Sequence, residues 1–89
     1  QYDNGFLNAA KFAWQSQNKH RQDRSTGQSI CEHQERGITL HLFVQARKQD
    51  LPWSCGPVRV LEARGNAPIN FKLQLETPLP QELFEFFTS

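Results

Sequence analysis

Strict alternation is the feature that most narrows what this chain can become. Ile69, Phe71, Leu73 and Leu75 take every second position against Asn70, Lys72, Gln74 and Glu76. Ile38, Leu40, Leu42 and Val44 repeat the pattern against Thr39, His41, Phe43 and Gln45. Successive side chains of a strand point to opposite faces, so these runs predict strands with one dry and one wet side. Phe43 is the odd member of its wet side, which hints that both faces of that strand are partly covered.

The remaining elements follow from the same reading. Phe12, Trp14 and Ser16 share one face of a first strand, with Ala13, Gln15 and Gln17 on the other. Lys19 to Gly27 lacks large apolar residues and predicts an exposed, mobile loop. A short strand is expected over Ser29 to His33, with Gln34 to Gly37 as the turn that returns the chain antiparallel. Arg47 to Pro52 reads as a second polar loop, ending at Trp53. Val58 and Val60 open a further strand that stops near Gly65 and Asn66. Pro78 and Pro80 break the Ile69 run, and Leu79, Leu83, Phe86 and Phe87 then form the stripe of a short terminal helix, with Pro80 suited to its first turn. About five strands, one late helix and no βαβ alternation predict a mainly β (α+β) fold. The expected form is a small antiparallel β-barrel or strongly curled sheet, with the C-terminal helix plugging one end or covering an edge.

At 89 residues the chain makes one domain, residues 1–89, with a single modest core. Gln1-Tyr2-Asp3 looks like an arbitrary starting point, as in a fragment cut from the C-terminal end of a longer protein. No apolar run approaches the roughly 20 residues of a membrane span, and no charged-then-apolar leader opens the chain. A formal net charge of +1 argues against a non-specific, histone-like DNA binder. Charge position says more than charge total. Between Lys11 and Arg24 stand four Lys or Arg residues against the single acid Asp23, and from Leu51 onward acids slightly outnumber bases. Cys31 and Cys55 are expected as free thiols of a reducing cytosol. With His33 and His41 they could be imagined as zinc ligands, but no C-x-x-C pair is present, so no metal and no cofactor are expected.

Phe12 to Asn18 (F-A-W-Q-S-Q-N) sets an aromatic strand against amides and hydroxyls, and a basic loop follows at once. That combination suits DNA, where cations meet phosphates and amides, hydroxyls or aromatics meet bases. The phosphate candidates are Lys19, Arg21, Arg24, Arg47 and Lys48; each is equally readable as a solvated loop charge. The base-recognition candidates are Gln15, Ser16, Gln17, Asn18, Thr26, Gln28 and Trp53. For Ser16 a hydrogen bond within the sheet stays open as the alternative, and for Trp53 packing over a barrel mouth. Trp14 alternates with Phe12 and reads as core. His20, His33 and His41 lack a nucleophile or glycine-loop motif beside them, so a catalytic role is not expected and the chain reads as a binding domain rather than an enzyme. The DNA reading requires residues 15–28 and the 47–53 connection to gather over one hollow.

The order of short motifs resembles a family described only as a domain of unknown function, found at the C-terminal end of bacterial and prophage superfamily-II helicases and ATP-dependent restriction proteins. Phe12 to Asn18 leads, then Thr26-Gly27-Gln28 with Ile30 and His33, then His41 to Val44 (H-L-F-V). Cys55 to Val58 (C-G-P-V), Asn66 to Ile69 (N-A-P-I) and Leu75 to Pro80 (L-E-T-P-L-P) complete the match. The resemblance implies a helicase-motor parent of phage defence, at work in the bacterial cytoplasm. It also implies a role like that of the DNA-reading end of SauUSI-type, modification-dependent (type IV) restriction enzymes. That end is similar to the SRA domain, a PUA-like barrel that recognises 5-methylcytosine. Double-stranded DNA, methylated in this reading, and the helicase and nuclease domains of the same parent are the implied partners. ATP hydrolysis and any cleavage would belong to those other domains. Two departures stand out: Ala13 stands where the family has a larger aromatic or His, and Gln45 where it often has Arg, the next cations being Arg47 and Lys48. The competing functional class is a non-catalytic interaction or clamp module that couples a motor to a nuclease, suggested by the near-zero net charge and the apolar Leu83 to Phe87 stripe.

Overall fold

A computed structural model describes residues 4–16, 20–23 and 25–88. The elements in chain order are β1 (Gly5–Asn8), β2 (Lys11–Gln15), α1 (Ser25–Cys31), β3 (Leu40–Val44), β4 (Trp53–Arg64), β5 (Asn70–Leu75) and α2 (Gln81–Thr88). The strands form one antiparallel sheet in the order β1-β2-β5-β4-β3. β5 lies at its centre, as its alternation requires: Phe71, Leu73 and Leu75 are buried on one face while Lys72 is exposed on the other. Phe12, Leu42, Val58, Ile69 and Leu79 complete most of the core around them.

β4 shapes the molecule. It is 12 residues long and carries two irregularities, each leaving one residue without a counterpart across the ladder. Cys55 is the extra residue against β3, next to Gly56, whose φ of +84° is open to glycine and strained for other residues. Leu61 is the extra residue against β5. Such bulges bend a strand and increase its twist, so the β3–β4 hairpin folds back over the face carrying Phe12 and Trp14.

The bend does not close the sheet. β1 and β3 are its two edges, and the gap between them is a hollow rather than a ladder, so the expected barrel is a strongly curled open sheet. β1 is only four residues long and its register slips between Phe6 and Asn8, which leaves little regular edge for β3 to join. Helix α2 covers the β1 side, with the Phe6 ring 6.3 Å from Phe84 and 5.9 Å from Phe87. The inward stripe of α2 is therefore Phe84 and Phe87, and Phe86 points away from the core.

The strand expected over Ser29 to His33 is instead helix α1 and the turns that follow it. Two physical features favour the helix. Gln28, Glu32 and Arg36 stand four apart and pair in sequence, Gln28 Nε2 donating to Glu32 Oε2 (3.3 Å) and Arg36 Nε to Glu32 Oε1 (3.1 Å). Gly27 lets the helix press against the preceding segment: a Cβ there would collide with the Arg21 carbonyl and the Ile69 side chain. The loop expected through Gly27 accordingly ends three residues earlier, before Ser25. Phe43, read as covered on its own side, is 61% exposed. Among the described residues no helix is long and apolar enough to cross a membrane.

Candidate functional site

Three of the polar groups that attract attention in the sequence, Gln15, Ser16 and His33, are consumed in building the fold. Ser16 is buried, and its Oγ accepts the Ile69 N–H (2.9 Å) while its own N–H donates to the Ile69 carbonyl (2.9 Å). The pair extends the β2–β5 ladder past Gln15. Gln15 donates its N–H to Asn4 Oδ1 (2.7 Å) and its side-chain amide to Asn70 Oδ1 (3.0 Å). His33 is also buried: its Nδ1 lies 3.0 Å from the Ile38 carbonyl, and its Nε2 lies 3.2 Å from the Val60 N–H. The carbonyl can only accept and the N–H can only donate, so the ring carries its proton on Nδ1. β3 pairs with β4 no further than Val58, so His33 takes the place of a strand beside Val60.

The expected site residues fall into separate groups. Gln17, Asn18, Lys19 and Arg24 lie outside the described residues. Arg21 is exposed and 3.7 Å from Asp23, at the β4–β5 end of the sheet, where Gln22 donates to Asn66 Oδ1 and the Gly65 carbonyl and the Ala67 N–H donates to His20. Thr26 is exposed on α1, and Gln28 is half-buried there against Glu32. Arg47, which pairs with Asp50 at 3.3 Å, Lys48 and Trp53 lie on or beside the β3–β4 connection, at the other end of β4. None of the hollows around Trp14, around Trp53 or beside Arg64 is lined by both the 15–28 and the 47–53 segments. The described candidates at 21–28 and at 47–53 thus stand toward opposite ends of β4.

A different cleft is present. Between β1 and the folded-back end of β3 lies a hollow of about 400 Å³ with Phe6, Trp14 and Phe43 on its walls and Asn4 and Gln45 among its polar groups. Trp14 stacks on Phe71, its cross-strand partner on β5, with ring centroids 5.3 Å apart and 20° between planes, so it is held rigidly on that side. A second hollow of about 360 Å³ shares Trp14, Leu42 and Phe43 with the first and runs on between Ile30, Leu40 and Leu73. The cleft thus has an amide-bearing part and an apolar part. Both amides are oriented by backbone partners. Asn4 Oδ1 is taken by the Gln15 N–H, which leaves its NH₂ as a donor with no partner among the described residues. Gln45 donates from Nε2 to the Asp50 carbonyl (2.8 Å), which leaves its oxygen as a free acceptor. Of these residues Phe43 stood out as the aromatic misfit on a polar face, Trp14 read as core and Gln45 only as a departure from the resembled family; Asn4 and the Phe6 of β1 left no signal that was read. Ala13, by alternation, faces away from the cleft that Trp14 lines, so the departure there leaves this wall unchanged.

Cys31 and Cys55 are both free thiols. Burial pushes both upward in pKa, and the neighbouring Glu32 carboxylate adds to the rise for Cys31. Thiols held in the protonated form are poor nucleophiles and poor metal ligands. Among the described residues, no three His, Cys, Asp or Glu side chains come together as metal ligands could.

Fold and cleft define a small, open antiparallel β domain with a ligand-sized hollow between its sheet edges. Residues 1–87 match the family model described as a domain of unknown function (DUF3427), and the chain belongs to that family. No curated protein and no solved structure matches the chain.

Proposed function

We propose that this domain is the DNA-binding module of a larger helicase- or restriction-type protein of the bacterial cytoplasm, and that it takes an unstacked base into the β1–β3 cleft. The observation that carries the reading is the meeting, in one hollow, of two aromatic walls and two oriented amides with opposite free functions. Phe43 supports it further, because a strand aromatic that is 61% exposed contributes little to the core. Cytosine presents an amino donor beside ring and carbonyl acceptors on its pairing edge. A free amide donor on Asn4 and a free acceptor on Gln45 match that pattern. The apolar part of the cleft suits a 5-methyl group, which is the modified-cytosine form of the proposal.

Energetics set the requirement. Extruding a base costs a few kcal/mol, and one aromatic stack returns about 1–3 kcal/mol, so stacking needs hydrogen bonds beside it. Arg47 and Lys48 continue from Gln45 and Ala46 at the cleft mouth, where the phosphates flanking an accepted base would pass. Arg21, at the far end of β4, has no part in this reading. The domain binds; ATP hydrolysis and any strand cleavage are assigned to other domains of the parent.

The test is a titration of the chain with matched duplexes, with and without 5-methylcytosine, at low and moderate salt. Binding should weaken with salt and favour the methylated duplex. Phe43→Ala should lower affinity roughly 5- to 150-fold, the equivalent of one lost stack, while leaving the unfolding free energy within about 0.5 kcal/mol of the unsubstituted chain's. No binding at low salt would reject the DNA reading. Unchanged affinity in Phe43→Ala would reject the cleft.

A further inference from the structure

Helix α2 carries Leu83, Phe84, Phe86 and Phe87 within eight residues, yet it has no buried residue. Phe84 and Phe87 lean on Phe6. Phe86, 58% exposed, opens instead with Leu51 (91%) and Trp53 (48%) onto a hollow of about 420 Å³ between α2 and the β3–β4 connection. Three large apolar side chains this open and this close together form a patch, which singly scattered ones do not. The hollow lies on the far side of Phe87 from the β1–β3 cleft, and its two banks differ in charge. The helix bank shows Glu82 and Glu85 to solvent and contains no basic residue. The loop bank shows Arg47 and Lys48; Asp50 answers Arg47, and Lys48 has no ion pair among the described residues.

We propose that this face is a homodimer interface whose twofold axis runs along the hollow. A twofold in the contact plane turns one bank onto the opposite bank of the other copy. The basic loop of each copy then meets the acidic helix of its mate, twice, in competition with the phosphates assigned to Arg47 and Lys48, and Leu51, Trp53 and Phe86 leave water between the two pairs. A partner of one charge sign satisfies one bank and confronts the other with like charge. A second copy satisfies both because it brings both. Trp at the centre of such a contact is the residue type that most often dominates binding.

Sedimentation of the chain from micromolar to millimolar concentration tests this. The mass should rise from one chain to two, at lower concentration when salt is low. Trp53→Ala and Phe86→Ser should each weaken association by about tenfold or more. Lys48→Glu and Glu85→Lys should each weaken self-association, and an equimolar mixture of the two should associate more tightly than either alone, because each mixed contact then pairs opposite charges. All four positions are exposed, and unchanged thermal midpoints will confirm that the variants fold. A chain that stays monomeric throughout, or mixed reversal variants that associate no better than the separate ones, would overturn the proposal and leave the patch to another domain of a parent protein.

Discussion

The two ends of β4 treat polar side chains in opposite ways. Toward Arg64, where β2, β5 and α1 meet, they complete the backbone: Ser16 finishes a ladder with Ile69, and His33 stands in for a strand beside Val60. Toward Trp53, Gln45 keeps an unused acceptor, and Phe43, Leu51 and Trp53 are largely open. Residue type alone does not distinguish the ends, since amides, hydroxyls and cations occur at both. What distinguishes them is the hydrogen-bonding capacity and apolar surface left over after the backbone has been satisfied. A binding site is built from that remainder.

Substitutions at the closed end sharpen the contrast, and the largest effect should come from His33. Replacing it with Ala removes a buried ring and leaves both the Val60 N–H and the Ile38 carbonyl without partners. At about 1–3 kcal/mol for each unsatisfied group, His33→Ala should lose roughly 3 kcal/mol or more in chemical denaturation. A loss under about 1 kcal/mol would mean that water reaches Val60 and that this end is not closed. Ser16→Ala orphans one N–H and should cost about 1–2 kcal/mol. Its affinity for DNA, measured where the variant is fully folded, should equal that of the parent chain. A selective loss of affinity for the methylated duplex would return Ser16 to the site and erase the distinction between the two ends.

The sequence exposed the strands far better than the site, for reasons visible in particular residues. Period-two burial is written directly into β3 and β5, because one dry face demands an apolar residue at every second position. The turn at Gln34 to Gly37, the loop before Trp53 and the terminal helix were legible from breakers and spacing. Helix α1 was not: its apolar content is small, and its evidence lies in the Gln28, Glu32 and Arg36 pairs and in a glycine needed for close approach. β1 escaped because four residues give alternation no room to show. Barrel closure depends on where β4 bends, and Gly56 and the extra Leu61 set that through geometry rather than composition. The polar run Gln15-Ser16 was misleading in a specific way. It marks a strand end whose groups are already spoken for, and only the partners Asn4, Asn70 and Ile69, distant in sequence, reveal it.

The cysteines give the smallest effect and set a thiol near each end of β4. Cys55 sits within the core and Cys31 on the packed side of α1, and burial raises the pKa of both. The folded chain therefore holds both thiol protons more tightly than the unfolded chain does. Below the ordinary thiol range, near pH 8.5, both states are protonated and this contribution to stability is fully present. As pH climbs through that range the unfolded thiols ionise first, unfolding releases protons, and stability falls. Denaturation midpoints should thus be level from neutral pH to about 8 and decline above it, and a Cys31→Ala, Cys55→Ala double variant should decline less. Native alkylation at neutral pH should be slow for both, and slower for Cys55, the more deeply buried. Rapid modification of Cys31 under native conditions would show that the closed end of the molecule yields as readily as the open one, and rapid modification of Cys55 would show that the sheet opens around the Trp53 end of β4.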